Sequence, residues 1–149
     1  MEHQLSMQFR RTDQIMKRSL DYRVKETGVY SGQHRILMNL KWMQVWRPNC
    51  TQAELEEKLE ISPAAVAVSI KKLEKGGYIQ RAPDEADNRA LQVTITPKGE
   101  QVIKQSLVIF QKMDSDLFDG FSDGELGLLA EFLERMYHNL EEKKKTEGI

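Results

Sequence analysis

What this chain of 149 residues lacks narrows its possibilities quickly. It has one cysteine, which excludes an intramolecular disulfide and a cysteine-based zinc site. No run approaches the roughly 18 consecutive apolar residues of a membrane span. The opening MEHQLSMQFRR holds no long apolar stretch, so no secretory signal is expected. Neither charge is in excess, since 22 Lys/Arg stand against 23 Asp/Glu for a net −1, which argues against a uniformly basic coat for nucleic acid. No P-loop or G-x-G-x-x-G occurs, and no catalytic residue and no cofactor is expected. His3, His34 and His138 are too scattered for a metal site. Asp114, Asp116 and Glu125 fall at positions one, three and twelve of a calcium loop, but Phe118 and Asp119 at the fifth and sixth positions break the pattern. What remains is a cytoplasmic globular chain, read as one domain over 1–149 and long enough for a core without staples.

The near-neutral total conceals segments of opposite sign. Residues 1–47 carry nine Lys/Arg and four acids, a net +5, and residues 62–81 carry Lys71, Lys72, Lys75 and Arg81 against Glu74, a net +3. Residues 51–61 are net −3, and residues 113–134 hold seven acids and no base. Local potential, not the sum, selects a partner.

Helical spacing dominates what is there. Leu5, Phe9, Thr12, Met16 and Leu20 recur every three or four residues and predict one buried helix face. Thr27–Tyr30 ends that helix. Ser31 offers a capping oxygen for the next, whose buried stripe is Ile36, Leu37, Leu40 and Met43. Pro48-Asn49 closes it. Thr51 and Glu54 form a T-x-x-E capping box before a short helix with Leu55 and Leu59 inward and Ile61 ending the apolar set. Ser62-Pro63 opens a third helix of this run, with Val66, Ile70 and Leu73 on one face and Gly76-Gly77 as its stop. The period then becomes two: Tyr78–Arg81 predicts a short strand, and Leu91, Val93 and Ile95 alternate with polar residues in a second. The polar APDEADNRA between them predicts a hairpin with a long tip. Thr96-Pro97 starts a long helix with Val102, Ile103, Leu107, Phe110, Met113 and Leu117 on its stripe. Ser122 and Glu125 form another capping box, before a last helix striped by Leu126, Leu129, Leu133, Met136 and Leu140.

Two short capped helices followed by a hairpin make a winged helix-turn-helix order, so the predicted class is mainly α with a β-hairpin wing. The second helix of such a pair fits the DNA major groove. An arginine at the hairpin tip suits the negative potential of a narrow minor groove. Arg89 sits there, and Asp87 is placed to brace it by a charge-assisted hydrogen bond.

TQAELEEKLEIS-PAAVAVSIKKLEKGGYIQR-APDEADNRALQVTITPKGE, residues 51–100, resembles the MarR family (multiple antibiotic resistance regulator). The most specific part is Asp87-Asn88-Arg89, then Leu91 to Thr96, then Gly99 of T-x-x-G. The flanking long helices fit by position. The resemblance implies a homodimer on a pseudo-palindromic operator in double-stranded DNA, usually as a repressor. It implies a recognition helix at 63–75, an arginine matching Arg89 in the minor groove and an aspartate matching Asp87 bracing it. It implies a winged lobe at 31–96 and a dimerisation lobe built from 3–25 and 97–143. The family also implies a small aromatic or phenolic effector, bound between the dimer helices and the winged lobe, with Tyr22, His34, Met38, Trp42 and Trp46 as candidate lining.

The candidate DNA-contacting set is Thr51, Gln52, Ser62, Pro63, Ala64, Ala65, Ala67, Val68, Lys71, Lys72, Lys75, Arg81, Asp87, Asn88 and Arg89. One departure matters. Ala64, Ala65, Ala67 and Val68 stand where many relatives have Ser, Thr or Arg; methyl groups meet thymine methyls but cannot bond purines in bidentate fashion. Specificity is then expected to lean on the wing and on DNA shape. The alternatives are a winged-helix protein-interaction module, against which the Asp87/Arg89 pair speaks, and a regulator that has lost most direct base readout. Cys50 does not sit near the N-terminus, where redox-sensing relatives carry a cysteine, and reads as a small buried hydrophobe. The acidic 113–134 stretch should lie away from DNA.

Overall fold

The computed structural model describes residues 1–59 and 62–148. Its elements run α1 (Glu2–Val24), a 3-10 turn (Lys25–Thr27), α2 (Ser31–Trp46), α3 (Gln52–Leu59), α4 (Pro63–Lys75), β1 (Ile79–Pro83), β2 (Leu91–Ile95), α5 (Pro97–Leu117) and α6 (Asp123–Glu147). The mainly helical class with a two-stranded antiparallel hairpin is as the sequence predicts. The expected role of Ile61 lies outside the described residues. The chain divides into two compact units, Met1–Gln111 and the part from Lys112 onward, with the boundary inside α5.

In the first unit the core forms where α2, α3, α4 and the hairpin meet. Ile36, Leu37 and Leu40 of α2, Leu55 of α3, Val66, Ile70 and Leu73 of α4 and Val93 of β2 are almost wholly buried, with Val102 and Ile103 of α5 completing the cluster. The spacing of four and three along α4 places its apolar residues on one face, as a 3.6-residue period requires.

The helix ends are set by local hydrogen bonds. The Thr51 N–H donates to Glu54 Oε2 at 3.0 Å and the Glu54 N–H to Thr51 Oγ1 at 3.3 Å, the reciprocal capping box. Ser62 Oγ accepts from the Ala65 N–H at 3.2 Å, with Pro63 in the first turn. At the other end of α4, Gly77 takes φ +77°, and the Tyr78 N–H bonds the Leu73 carbonyl while the Gly77 N–H bonds that of Glu74, each at 2.9 Å. This paired closure needs a left-handed residue, and glycine adopts it at least cost. On α2 the helix begins at Ser31, one residue earlier than expected; Tyr30 takes the capping position and its N–H donates to Gln33 Oε1 at 3.3 Å.

The first turn of α5 locks onto that closure. Thr96 Oγ1 donates to the Gly77 carbonyl at 2.6 Å and accepts from the Gly99 N–H at 3.2 Å, and Lys98 Nζ donates to the Gly76 carbonyl at 2.7 Å. A Cβ on Gly99 would sit 2.2 Å from the Tyr78 carbonyl oxygen, so the T-x-x-G glycine is a close-approach residue.

The hairpin pairs Ile79 with Ile95 through Pro83 with Leu91. The first strand starts one residue later than predicted, because the Tyr78 N–H closes α4, and it runs two residues further. Of the three alternating residues, Val93 is buried and Ile95 half-buried, whereas Leu91 is exposed toward the outer end. Sequence reading missed one pairing. The Val93 N–H donates to the Cys50 carbonyl at 2.9 Å and Thr51 bridges Gln92, so the segment before α3 joins the free edge of β2.

The long terminal helices depart from expectation. On α1, Leu5, Phe9 and Met16 are 59%, 50% and 36% exposed, and only Val24 is buried, so the predicted face is formed but not covered within its unit. In the second unit, α6 has its Ser122–Glu125 box, with the Ser122 N–H donating to Glu125 Oε2 at 2.8 Å, but none of its described residues is buried. No helix among the described residues is long and apolar enough to cross a membrane.

Candidate nucleic-acid interface

The outward face of α4 presents Ala64, Ala65 and Val68 exposed and Ala67 half-buried, with Lys71, Lys72 and Lys75 exposed on its later turns. This is a methyl-rich, cationic surface, able to meet apolar groups and phosphates and poor in groups that read base edges. At its start, Ser62 and Pro63 are exposed. Thr51 and Gln52 are half-buried, and both are already engaged. Thr51 closes its capping box. Gln52 Oε1 accepts from Arg81 at 3.2 Å and its Nε2 donates to Glu56 at 2.9 Å.

The wing tip is ordered by two aspartates. Asp84 Oδ1 accepts from the N–H groups of Ala86 and Asp87 at 2.8 and 3.1 Å. Asp87 Oδ1 accepts from the Arg89 N–H at 2.9 Å. The expected charge-assisted bond to the guanidinium is thus replaced by a backbone bond. Asp87 shapes the loop that carries Arg89, and the exposed Arg89 side chain has no ion-pair partner among the described residues. Asn88 is exposed beside it.

Arg81 is placed differently from the lysines. Its side chain is only 19% exposed, and its Nε and Nη2 donate to Glu74 Oε2 at 3.1 and 2.5 Å. The Arg81 hydrogen bonds hold the Glu74 carboxyl below its ordinary value, and the guanidinium is raised in turn. An open groove of about 430 Å³ runs beside this pair, lined by Ile79, Gln80 and Thr94 among others.

The candidate effector residues divide. His34 and Met38 are buried in the first unit; His34 Nε2 lies 2.7 Å from Ser106 Oγ of α5, and the Ser106 hydroxyl donates to the Val102 carbonyl, leaving the ring to donate. Burial pushes the His34 pKa down, partly opposed by Asp21. Trp42 and Trp46 are 59% and 85% exposed on α2, and Tyr22 is exposed on α1. Cys50 is fully buried, and burial, followed by Glu54, pushes its thiol up to about 11, the reverse of a reactive thiolate. No cluster of metal-binding side chains occurs among the described residues.

Comparison with known proteins places this geometry. The model of the MarR family matches residues 29–91. The HTH-type transcriptional regulator BilQ of Clostridioides difficile is 35% identical over 77 residues, which cover 52% of this chain and 52% of that protein. The match therefore spans about half the length of that curated relative. A MarR transcriptional regulator from Methanosarcina mazei superposes with a TM-score of 0.74 at 26% identity, covering 92% of this chain and 96% of that one. A mutant MarR from E. coli, in complex with operator DNA, gives 0.74 at 20% identity, covering 89% of this chain and 92% of the other, a likeness of fold.

Proposed function

We propose that this chain, whose residues 29–91 match the MarR family, is a member of that family and a sequence-specific DNA-binding transcriptional regulator acting as a homodimer on a pseudo-palindromic operator. The observation that carries the reading is the pairing of an exposed, uncommitted Arg89 on an aspartate-ordered tip with the exposed Lys71, Lys72 and Lys75 on α4. In this reading α4 enters a major groove from Ser62 and Pro63 onward, its lysines hold phosphates, and Arg89 enters the flanking minor groove with Asn88 beside it. Asp87 acts by shaping the loop. Because Ala64, Ala65, Ala67 and Val68 offer only methyl groups, groove width and deformability contribute much of the specificity. The operator-bound E. coli protein of the same fold supports this assignment.

Dimerisation is supported by the apolar residues left in water on α1 and α6, including Leu5, Phe9, Phe132, Leu133, Met136 and Leu140. Each Å² of such surface removed from water contributes about 25 cal/mol. The protein works without catalysis, in the cytoplasm, as a repressor that a small aromatic or phenolic effector releases. Exposed Trp42, Trp46 and Tyr22 suit stacking with such a ligand, while buried His34 and Met38 would support the helix behind it.

The test is selection of genomic DNA fragments by the purified protein. Enrichment of a two-fold sequence with half-sites ~34–36 Å apart is expected, and failure to enrich any sequence would sink the reading. Arg89→Ala should weaken binding to that sequence by about 1–3 kcal/mol while leaving the dimer intact.

A further inference from the structure

The basic residues of the candidate interface are not equivalent. Lys71, Lys72, Lys75 and Arg89 are exposed, whereas Arg81 is largely covered and has committed its guanidinium on both sides. One edge forks onto Glu74, on the last turn of the recognition helix; Nη1 reaches Gln52, at the start of α3. Arg81 itself lies in β1, the first strand of the wing. Three separate elements that must meet one duplex therefore converge on a single planar, five-donor group, whose fixed geometry sets distances as well as charge. Beside it, the Gly77 closure and the Thr96 bond already pin the base of the wing to the end of α4. Arg81 adds the third point, α3.

We propose that Arg81 is a positioning residue, a guanidinium strut that sets the spacing of wing, recognition helix and α3 for DNA, and that it is not one of the phosphate anchors. The proposal rests on the DNA-binding reading above and deepens it. Its consequence is counterintuitive. Removing the Glu74 charge should weaken operator binding, although it makes the surface more positive and frees an arginine beside the duplex.

The experiment measures operator affinity and its salt dependence, on the full chain and the selected operator, for Glu74→Ala, Arg81→Ala, Arg81→Lys, the Glu74→Ala/Arg81→Ala double variant and Lys72→Ala. The strut predicts about tenfold weaker specific binding for each single change at 74 or 81, no further loss in the double variant, and little rescue by lysine, which lacks the fork. The slope of log affinity against log salt should stay at the wild-type value in these variants and become shallower by about one unit in Lys72→Ala, a true anchor. Tighter binding by Glu74→Ala, or a slope reduced by about one in Arg81→Ala and restored in Arg81→Lys, would overturn the proposal. Thermal unfolding confirms that each variant is folded. Amide hydrogen exchange on the free protein keeps the strut separable from the DNA reading. Faster exchange in residues 79–95 of both Glu74→Ala and Arg81→Lys is expected even if wild-type protein selects no DNA, and unchanged exchange there would overturn the strut by itself.

Discussion

The core of the winged lobe and the face of α6 have similar amphipathic patterns and opposite fates. Val66, Ile70 and Leu73 recur at helical spacing on α4 and are fully buried, while Leu133, Met136 and Leu140 recur at helical spacing and remain 39%, 44% and 72% exposed. The difference teaches that periodicity reports an apolar face and not what covers it. In the lobe, α2, α3, α4 and the hairpin pack against one another, so each face finds a partner within the same unit. Most of α1 and the whole of α6 find no such partner among the described residues of their own unit.

The comparison can be broken most directly by cutting into each face. Leu55→Ala should cost about 2–5 kcal/mol in urea unfolding, because its buried site cannot fully collapse. Leu133→Glu with Leu140→Glu should leave the helical signal of the protomer intact and turn a dimer into a monomer by sedimentation. Equal unfolding by both would erase the distinction. Glycines sharpen it at smaller scale. Gly99→Ala forces a methyl against the Tyr78 carbonyl and should destabilise by about 1–3 kcal/mol, whereas Gly127→Ala in α6 meets nothing within 4 Å and should stabilise by about 0.5–1 kcal/mol. Both are read from denaturation midpoints.

The smallest effect concerns protons. The His34 pKa is lowered from its ordinary 6.5 in the folded chain, so the unfolded chain binds the proton first as pH falls. Stability contributed by neutral, buried His34 is fully present above about pH 6.5 and is lost progressively as pH falls toward the lowered folded value. His34→Gln should flatten that part of the stability profile between pH 7 and pH 5, measured by urea unfolding. An unchanged slope would assign the pH dependence elsewhere.

Much of the fold is legible in the chain because the signals are local. Thr51 with Glu54, Ser62 with Pro63, Ser122 with Glu125 and Gly76-Gly77 act on backbone groups within four or five residues, so their spacing alone identifies the boundaries they make. The wing tip was legible in the same way, as was the exposed cationic face of α4. Three features were not. Cys50 and Thr51 join β2 through their backbone, and their side chains carry no strand pattern. Asp87 meets the Arg89 backbone instead of its guanidinium, a choice made by the path of the turn. Trp42 and Trp46 lie outside while His34 and Met38, on the same helix, lie inside, which depends on the side from which α4 and α5 approach.

The chain by itself determined the order of elements, their caps, the apolar faces and the acid–arginine tip, since each arises from bonds or periods confined to one short segment. Only the tertiary structure decided which of those faces are covered, and that Arg81 is bound to Glu74 and Gln52 while Lys72 and Arg89 stay exposed. Gln52 and Arg81 are 29 residues apart, and no local period brings them together. Their meeting follows from folding the hairpin back across the start of α3, which converts one of four similar positive charges of the 62–81 segment into a strut.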